Sequence, residues 1–339
     1  MGSNNIVQRK QWLDIAKGIG IFFVAWGHLF VGGGGIWCRI FAFHMPLFFF
    51  CSRVTFRPAR NGYKEYLRKK IKGLMVPYFA VLLVGFAITM AIPAWRTGVT
   101  IDALKVILRN GQPEVLHVGQ IWFLLCLFIV VNMFFLLHKL IGDNNTAIWG
   151  LVILIIAFIL LHLQYLPIEG RLPLKIDSAM YGLEFYIMGF LFNRQSEKND
   201  RIIGIKGDLV LFLLFLTAYR FYDNGIVNIC DITYGNDFTC FLFYAVGGIT
   251  LIVIVSKAIK ANSILEYIGK NSLFIFSLHS FAICAYEKAL SIYHGYPVVH
   301  MNNMSNLEAL IGGILIVAVM AVLCKIYSVC KTKAAAIFD

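Results

Sequence analysis

The chain has 339 residues, 59% of them hydrophobic and only 14% charged, with a formal net charge of +12. A soluble domain carries about 25% charged residues, so a water-soluble globule is excluded as the main body. A nucleic-acid binder is excluded too, because the positive runs lack the interleaved stacking aromatics and the soluble module such a site needs.

Apolar segments of membrane-spanning length recur from end to end. In hydrocarbon every backbone polar group must be paired internally, which leaves helices or closed barrels. The segments lack strict alternation and are too long for barrel strands. An all-α fold is therefore expected, a polytopic integral membrane helix bundle of about ten transmembrane helices. In chain order the candidates are 12–31, 36–56, 71–92, 119–138, 147–165, 178–193, 207–222, 238–255, 272–290 and 307–330. The second is weakened by Arg39, His44, Pro46 and Arg53, and the sixth is short and holds Glu184. Residues 1–339 read as a single membrane-embedded domain.

The first candidate follows Arg9, Lys10 and Gln11, as a signal peptide would. Its length, its Asp14 and Lys17, and the lack of a clear small-residue cleavage site predict a retained helix. Asp14 and Lys17 share one helical face. They read either as a self-neutralising pair at the membrane boundary or as a station where Lys17 meets a phosphate or carboxylate of a substrate. Gly18, Gly20 and Gly27 permit close backbone approach. His28 lies three turns beyond Lys17, about 16 Å along an ideal helix. The two cannot touch, but they mark two stations on one path. An ionisable group inside a membrane is a functional candidate by default, and imidazole titrates near neutral pH, which suits a general base for a hydroxyl.

The second candidate carries His44 just before Met45 and Pro46. Proline frees a carbonyl and kinks a helix, so His44 is expected beside a widened cavity, bonded to His28, to an acceptor or to the freed carbonyl. Base then accumulates after this segment, at Arg53, Arg57, Arg60, Lys64, Arg68, Lys69, Lys70 and Lys72. It recurs after the sixth and eighth candidates and in the tail. The alternate loops are poorer in base, and two of them, 223–237 and 291–306, contain no Lys or Arg. This is the positive-inside pattern, with both termini cytoplasmic. The eight cysteines show no CxxC pair and no metal-ligand spacing, so no metal is expected; a Cys230–Cys240 bridge remains open. No glycine-rich phosphate loop, HExxH or GxSxG motif occurs.

Six segments, in order, carry a resemblance: WLDIAKGIGIFFVAWGH, FHMPLFFFCS, LRKKIKGLMVPY, IWFLLCLF, YGLEFYIMGFLF and IGKNSLFIFSLH. Together they resemble the membrane-bound acyltransferase 3 family, O-acetylases of sugars and polysaccharides, over nearly the entire chain. One departure is Arg53 after Ser52, where the family more often has glycine. The resemblance implies a multi-pass protein of the bacterial cytoplasmic (inner) membrane. It implies acyl transfer from cytosolic acetyl-CoA, as co-substrate, to a hydroxyl of a sugar, glycan or lipid-linked glycan. It makes His28 the essential histidine of the first helix, Lys17 a basic position for the donor, and His44 a second histidine. The run from Arg57 to Lys72 would lie where CoA arrives.

A thioester is already activated, so the protein must activate the hydroxyl, position it and stabilise an oxyanion. His28 fits the first need; His44 and Ser52 are candidate oxyanion donors. Arg53, Arg57, Arg60, Arg68, Lys69 and Lys72 are candidates for the nucleotide phosphates as well as inside anchors. Glu184 is a candidate for sugar hydroxyls or for pairing a base. Asp14, Trp122 and His279 are candidates for the substrate; Trp122 reads either as a stacking platform or as an interfacial anchor, and His279 either as shaping the site or as a hydrogen-bonded core residue. Arg171, Lys175, Asp177, Arg220 and Asp223 lie toward the acceptor side. A different donor or a non-sugar acceptor is an alternative within the family. A secondary transporter is the rival outside it, though no inverted halves are visible.

Overall fold

The computed structural model describes residues 10–29, 34–54, 62–142, 144, 147–153, 155–156, 172–198, 224–259, 261–299 and 303–338. They form an all-α bundle. Its helices are α1 (Gln11–His28), α2 (Gly34–Val54), α3 (Gly62–Ala91), α4 (Ile101–Asn110), α5 (Trp122–Ile141), α6 (Ile176–Lys198), α7 (Phe238–Ala258), α8 (Ser263–Lys270), α9 (Ser272–His294) and α10 (Asn306–Phe338). Among the described residues, five helices are long and apolar enough to cross a membrane: Gly62–Ala91, Gly119–Ile141, Phe238–Ala258, Ser272–His294 and Asn306–Lys333. The expected span 207–222 lies outside the described residues, as does most of the second half of 147–165; 147–153 and 155–156 are helical.

α1 and α2 carry too many polar groups to read as lipid-facing spans, and their placement explains why they tolerate them. α1 packs against α2, α7, α8, α9 and α10. Ile15, Ala16, Ile21, Val24 and Ala25 are fully buried, and every residue of α2 from Ile40 to Cys51 is buried. A helix sheathed in protein can hold ionisable side chains that lipid would reject. The exposed apolar side chains lie instead on helices such as α3 (Val76, Phe79, Leu83) and α10 (Ile314, Val319, Val322).

The tightest crossing is between the first half of α1 and α8. A Cβ on Gly18 would strike the Leu265 carbonyl, and one on Gly269 would strike the Asp14 carbonyl. The two glycines thus let the backbones meet directly. Gln11 Nε2 donates to Glu266 Oε1 (2.5 Å) beside this crossing.

α3 is one 30-residue helix with a π turn at Ile71–Met75, where the Val76 N–H reaches back to the Ile71 carbonyl. Pro77 is the physical reason. It has no N–H and its ring crowds the carbonyl of Gly73, and a widened turn relieves that crowding. In α2, Pro46 leaves the Ala42 carbonyl without its usual helical donor.

α4 was not among the expected elements because it is only 10 residues long. The Thr100 side chain caps it by accepting from Ala103 N (3.1 Å), and Gly111 ends it at φ 68°. At the same end of the bundle, β1 (Val227–Asn228) pairs antiparallel with β2 (Thr233–Tyr234), Val227 opposite Tyr234. Asn224 fastens this hairpin, donating to the Tyr234 carbonyl (2.8 Å) and accepting from Asp237 N (2.8 Å).

Candidate active site

His28 is the last residue of α1. Its half-buried ring packs against His279 of α9, with centroids 5.1 Å apart, and against Phe41 of α2 at 5.5 Å. Phe41 in turn meets His44 at 4.7 Å and Trp37 at 4.6 Å. His28 and His44 therefore share one aromatic side chain, Phe41, and His279 joins them through its contact with His28.

Local hydrogen bonds fix two of the three tautomers. His44 Nδ1 lies 2.8 Å from the Ile40 carbonyl, and His279 Nδ1 lies 2.7 Å from the Phe276 carbonyl. A carbonyl can only accept, so Nδ1 carries the proton in each ring and the Nε2 lone pair is left. His44 thus bonds the carbonyl one turn back, not the Ala42 carbonyl that Pro46 frees. The Nε2 of His279 is buried with no hydrogen-bond partner.

His28 and His44 line a cavity of about 1150 Å³, together with Trp37, Phe41, Trp122 and residues of α9. Gln120 braces this wall. Its Nε2 donates to the Ser277 carbonyl (3.0 Å) and its Oε1 accepts from Ser280 Oγ (2.7 Å). The remaining lining comes from the turn after α3, the loop before α5, the β hairpin and the segment after α9. The cavity therefore occupies the end of the bundle where α1 finishes.

Lys288 lines the chamber and Lys175 stands beside it, but the basic run at the start of α3 and several other cations lie at the other end. Lys10 Nζ donates to Asn193 Oδ1 (2.6 Å), and Lys257 lies over the Trp12 and Phe192 rings at 5.7 and 5.3 Å. None of Lys17, Arg53, Arg68, Lys69 or Lys72 lines the cavity. Lys17 is half-buried on α1, with Cys51 of α2 as an electrostatic neighbour. Arg68, Lys69 and Lys72 are exposed on the first turns of α3, and Lys69 pairs with Glu65 (2.5 Å). Arg53 is only 5% exposed. Its guanidinium lies 4.2 Å from the Phe190 centroid and 5.0 Å from that of Phe134. Arg57 and Arg60 fall outside the described residues, as do Arg171, Arg220 and Asp223.

Asp14 is buried in α1 at the α8 crossing. Glu184 is buried in α6, away from the cavity lining, and neither carboxylate oxygen has a hydrogen-bond partner. Ser52 donates to the Phe48 carbonyl (2.7 Å) and does not line the cavity. Lys175, expected near an acceptor, is a tie between loops: its Nζ donates to Gln112 Oε1 (2.5 Å) and to the Cys230 carbonyl (3.0 Å). No disulfide joins Cys230 to Cys240, and Cys230 Sγ donates to Gln112 Oε1 (3.1 Å). Among the described residues no cluster of three or more His, Cys, Asp or Glu is placed to hold a metal ion.

Several lining residues had drawn no attention in the sequence: Trp37, Trp95, His117, Gln120, Ser280 and Glu287. Phe276, Ser280, Cys284, Glu287 and Ser291 recur every three or four residues, so a helical wheel of α9 exposes a mixed stripe in an otherwise apolar helix. No such periodicity reveals Trp95, in the single helical turn Pro93–Arg96, or His117, in a loop.

Chemically, the site offers an imidazole at the wall of a large chamber, a second imidazole behind it with an open lone pair, and aromatic walls. A hydroxyl can be deprotonated there without a metal. A family model for an acyltransferase domain matches residues 10–325. No curated protein and no solved structure matches the chain. Because the match runs from before α1 to within α10 and so takes in every wall of the chamber, the chain belongs to the acyltransferase 3 family, as a membrane-embedded acyltransferase.

Proposed function

We propose that this protein moves an acetyl group from cytosolic acetyl-CoA to a hydroxyl of a sugar or cell-surface glycan, free or lipid-linked, in the cytoplasmic membrane of a bacterium. The observation that carries this reading is His28 on the wall of the 1150 Å³ chamber, with His279 packed behind it. The basic end of the bundle is the cytoplasmic side, the chamber opens on the other, and about ten crossings return both termini to the cytoplasm.

In the transfer, His28 accepts the acceptor's hydroxyl proton as its oxygen attacks the thioester carbonyl. The C–S bond then breaks, and the departing CoA thiolate takes the proton. The His279 ring packs against His28, centroids 5.1 Å apart, and makes His279 a positioning residue for the base. His44 and Trp122 shape the chamber. On the donor side, exposed Arg68, Lys69 and Lys72 suit the nucleotide phosphates, and Lys17 stands on the path between them and His28. Arg53, enclosed by two rings, holds that end together. Glu184 and Asp14 act on the packing around the path.

Purified protein in nanodiscs, given isotope-labelled acetyl-CoA and a glycan panel, is expected to yield a stable O-acetyl product. His28→Ala is expected to lose roughly 10²–10⁴-fold in rate while unfolding at the same temperature as the parent. A well-folded variant with full transfer removes the mechanism. Solute flux without covalent transfer replaces the enzyme with a transporter.

A further inference from the structure

The part of the chamber formed by the end of α9 and the loops differs from the part at His28. Glu287 lies two turns beyond His279 on the same unbroken helix, about 12 Å along its axis. Two carboxylates line the chamber, Glu114 and Glu287, and Glu287 is the buried one, at 7% exposure. Trp95, from the turn after α3, lines the same chamber with the His117 ring laid over it, centroids 3.9 Å and planes 31° apart. His117 holds a left-handed backbone at φ 55° to reach that position. Burial lowers the affinity of its imidazole for a proton, which favours the uncharged ring.

A carboxylate and an aromatic plate are complementary to the two aspects of a sugar ring. The hydroxyls around its edge donate to a charged acceptor, and its C–H face packs on a π surface. The cavity is also large for one small ligand: single drug-sized molecules fill roughly 300–1,000 Å³. Glu287 stands two turns from His279, which packs on His28, so a unit held at Glu287 leaves room for a neighbouring unit to present its hydroxyl at His28.

We propose that this region is a second acceptor subsite: Glu287 binds the hydroxyls of one sugar unit and the Trp95–His117 pair flanks it, while a neighbouring unit of the same molecule reacts at His28. The acceptor is then an oligosaccharide of two or more units, not a free monosaccharide. This rests on the reading of His28 as the transfer centre.

The test uses the full-length protein in nanodiscs, labelled acetyl-CoA, and glycans released from the native host's envelope and fractionated by size. The expected result is a rise in kcat/KM of at least roughly 10-fold from one unit to two or more. Glu287→Gln and Trp95→Ala should each remove most of that rise by raising the acceptor KM, with the acetyl-CoA KM unmoved. Two variants at separate elements guard against one failing to fold. Equal use of monosaccharide and oligosaccharide, or variants that keep the full rise, overturns the subsite and leaves acyl transfer standing. No label on any fraction with the unsubstituted protein overturns both.

Discussion

Arg53 illustrates how one side chain serves two ends of an argument. By charge it belongs with the phosphate-binding candidates at the basic end, but it lies between Phe134 and Phe190 at cation–π distance and is nearly sealed from solvent. Such contacts contribute about 0.5–2 kcal/mol. Arg53→Met keeps the length and removes the charge. It should lower the unfolding temperature in detergent, corresponding to about 1 kcal/mol, and leave the acetyl-CoA KM within about twofold. A KM rise above roughly 10-fold without loss of stability would return Arg53 to the donor site. The neighbouring Ser52 donates its hydroxyl to the Phe48 carbonyl.

Among the elements, the pair α1 and α8 decides where the chemistry is held. α8 is only 8 residues long, yet it touches α1 backbone to backbone through Gly18 and Gly269. Gly269→Ala must push the Asp14 carbonyl away, and overpacking of this kind costs about 1–3 kcal/mol. Thermal unfolding in micelles should show that loss, whereas Gly150→Ala, into open space, should not. An unchanged transition for Gly269→Ala would mean the crossing is loose. The glycines of α1 were legible as close-approach sites because a membrane helix gains contact through small residues. Their partner was not, because α8 is too short and polar to register as a span. The same limit hid α4, and it hid Trp95 and His117, whose meeting depends on loop paths with no period to read. His28, His44 and His279 were legible singly, since an imidazole in an apolar run is conspicuous. That two of them share Phe41 needed the packing of α1 on α2.

For the whole molecule, the long apolar runs and the one-sided base were enough to read a helical bundle in lipid, because both follow from the hydrocarbon itself. The number of crossings was less legible: α1 and α2 are polar enough to fail as lipid-facing spans and succeed only because other helices surround them. The separation of a basic end from a chamber end has a direct readout. Tyr293, at the chamber end, is 82% exposed, and Cys330 is exposed near the end of α10. In oriented vesicles a membrane-impermeant maleimide should label Tyr293→Cys from one face and Cys330 from the other. Labelling of both from the same face would break the assigned topology.

Lys17 and His28 ride on one unbroken helix, clamped near its start by α8 and near its finish by α2 and α9. Their spacing is consequently rigid, and the protein acts as a yardstick. A donor anchored at the basic face must own an arm long enough to span it, so a thioester on a clipped arm would dock and still fall short of the imidazole.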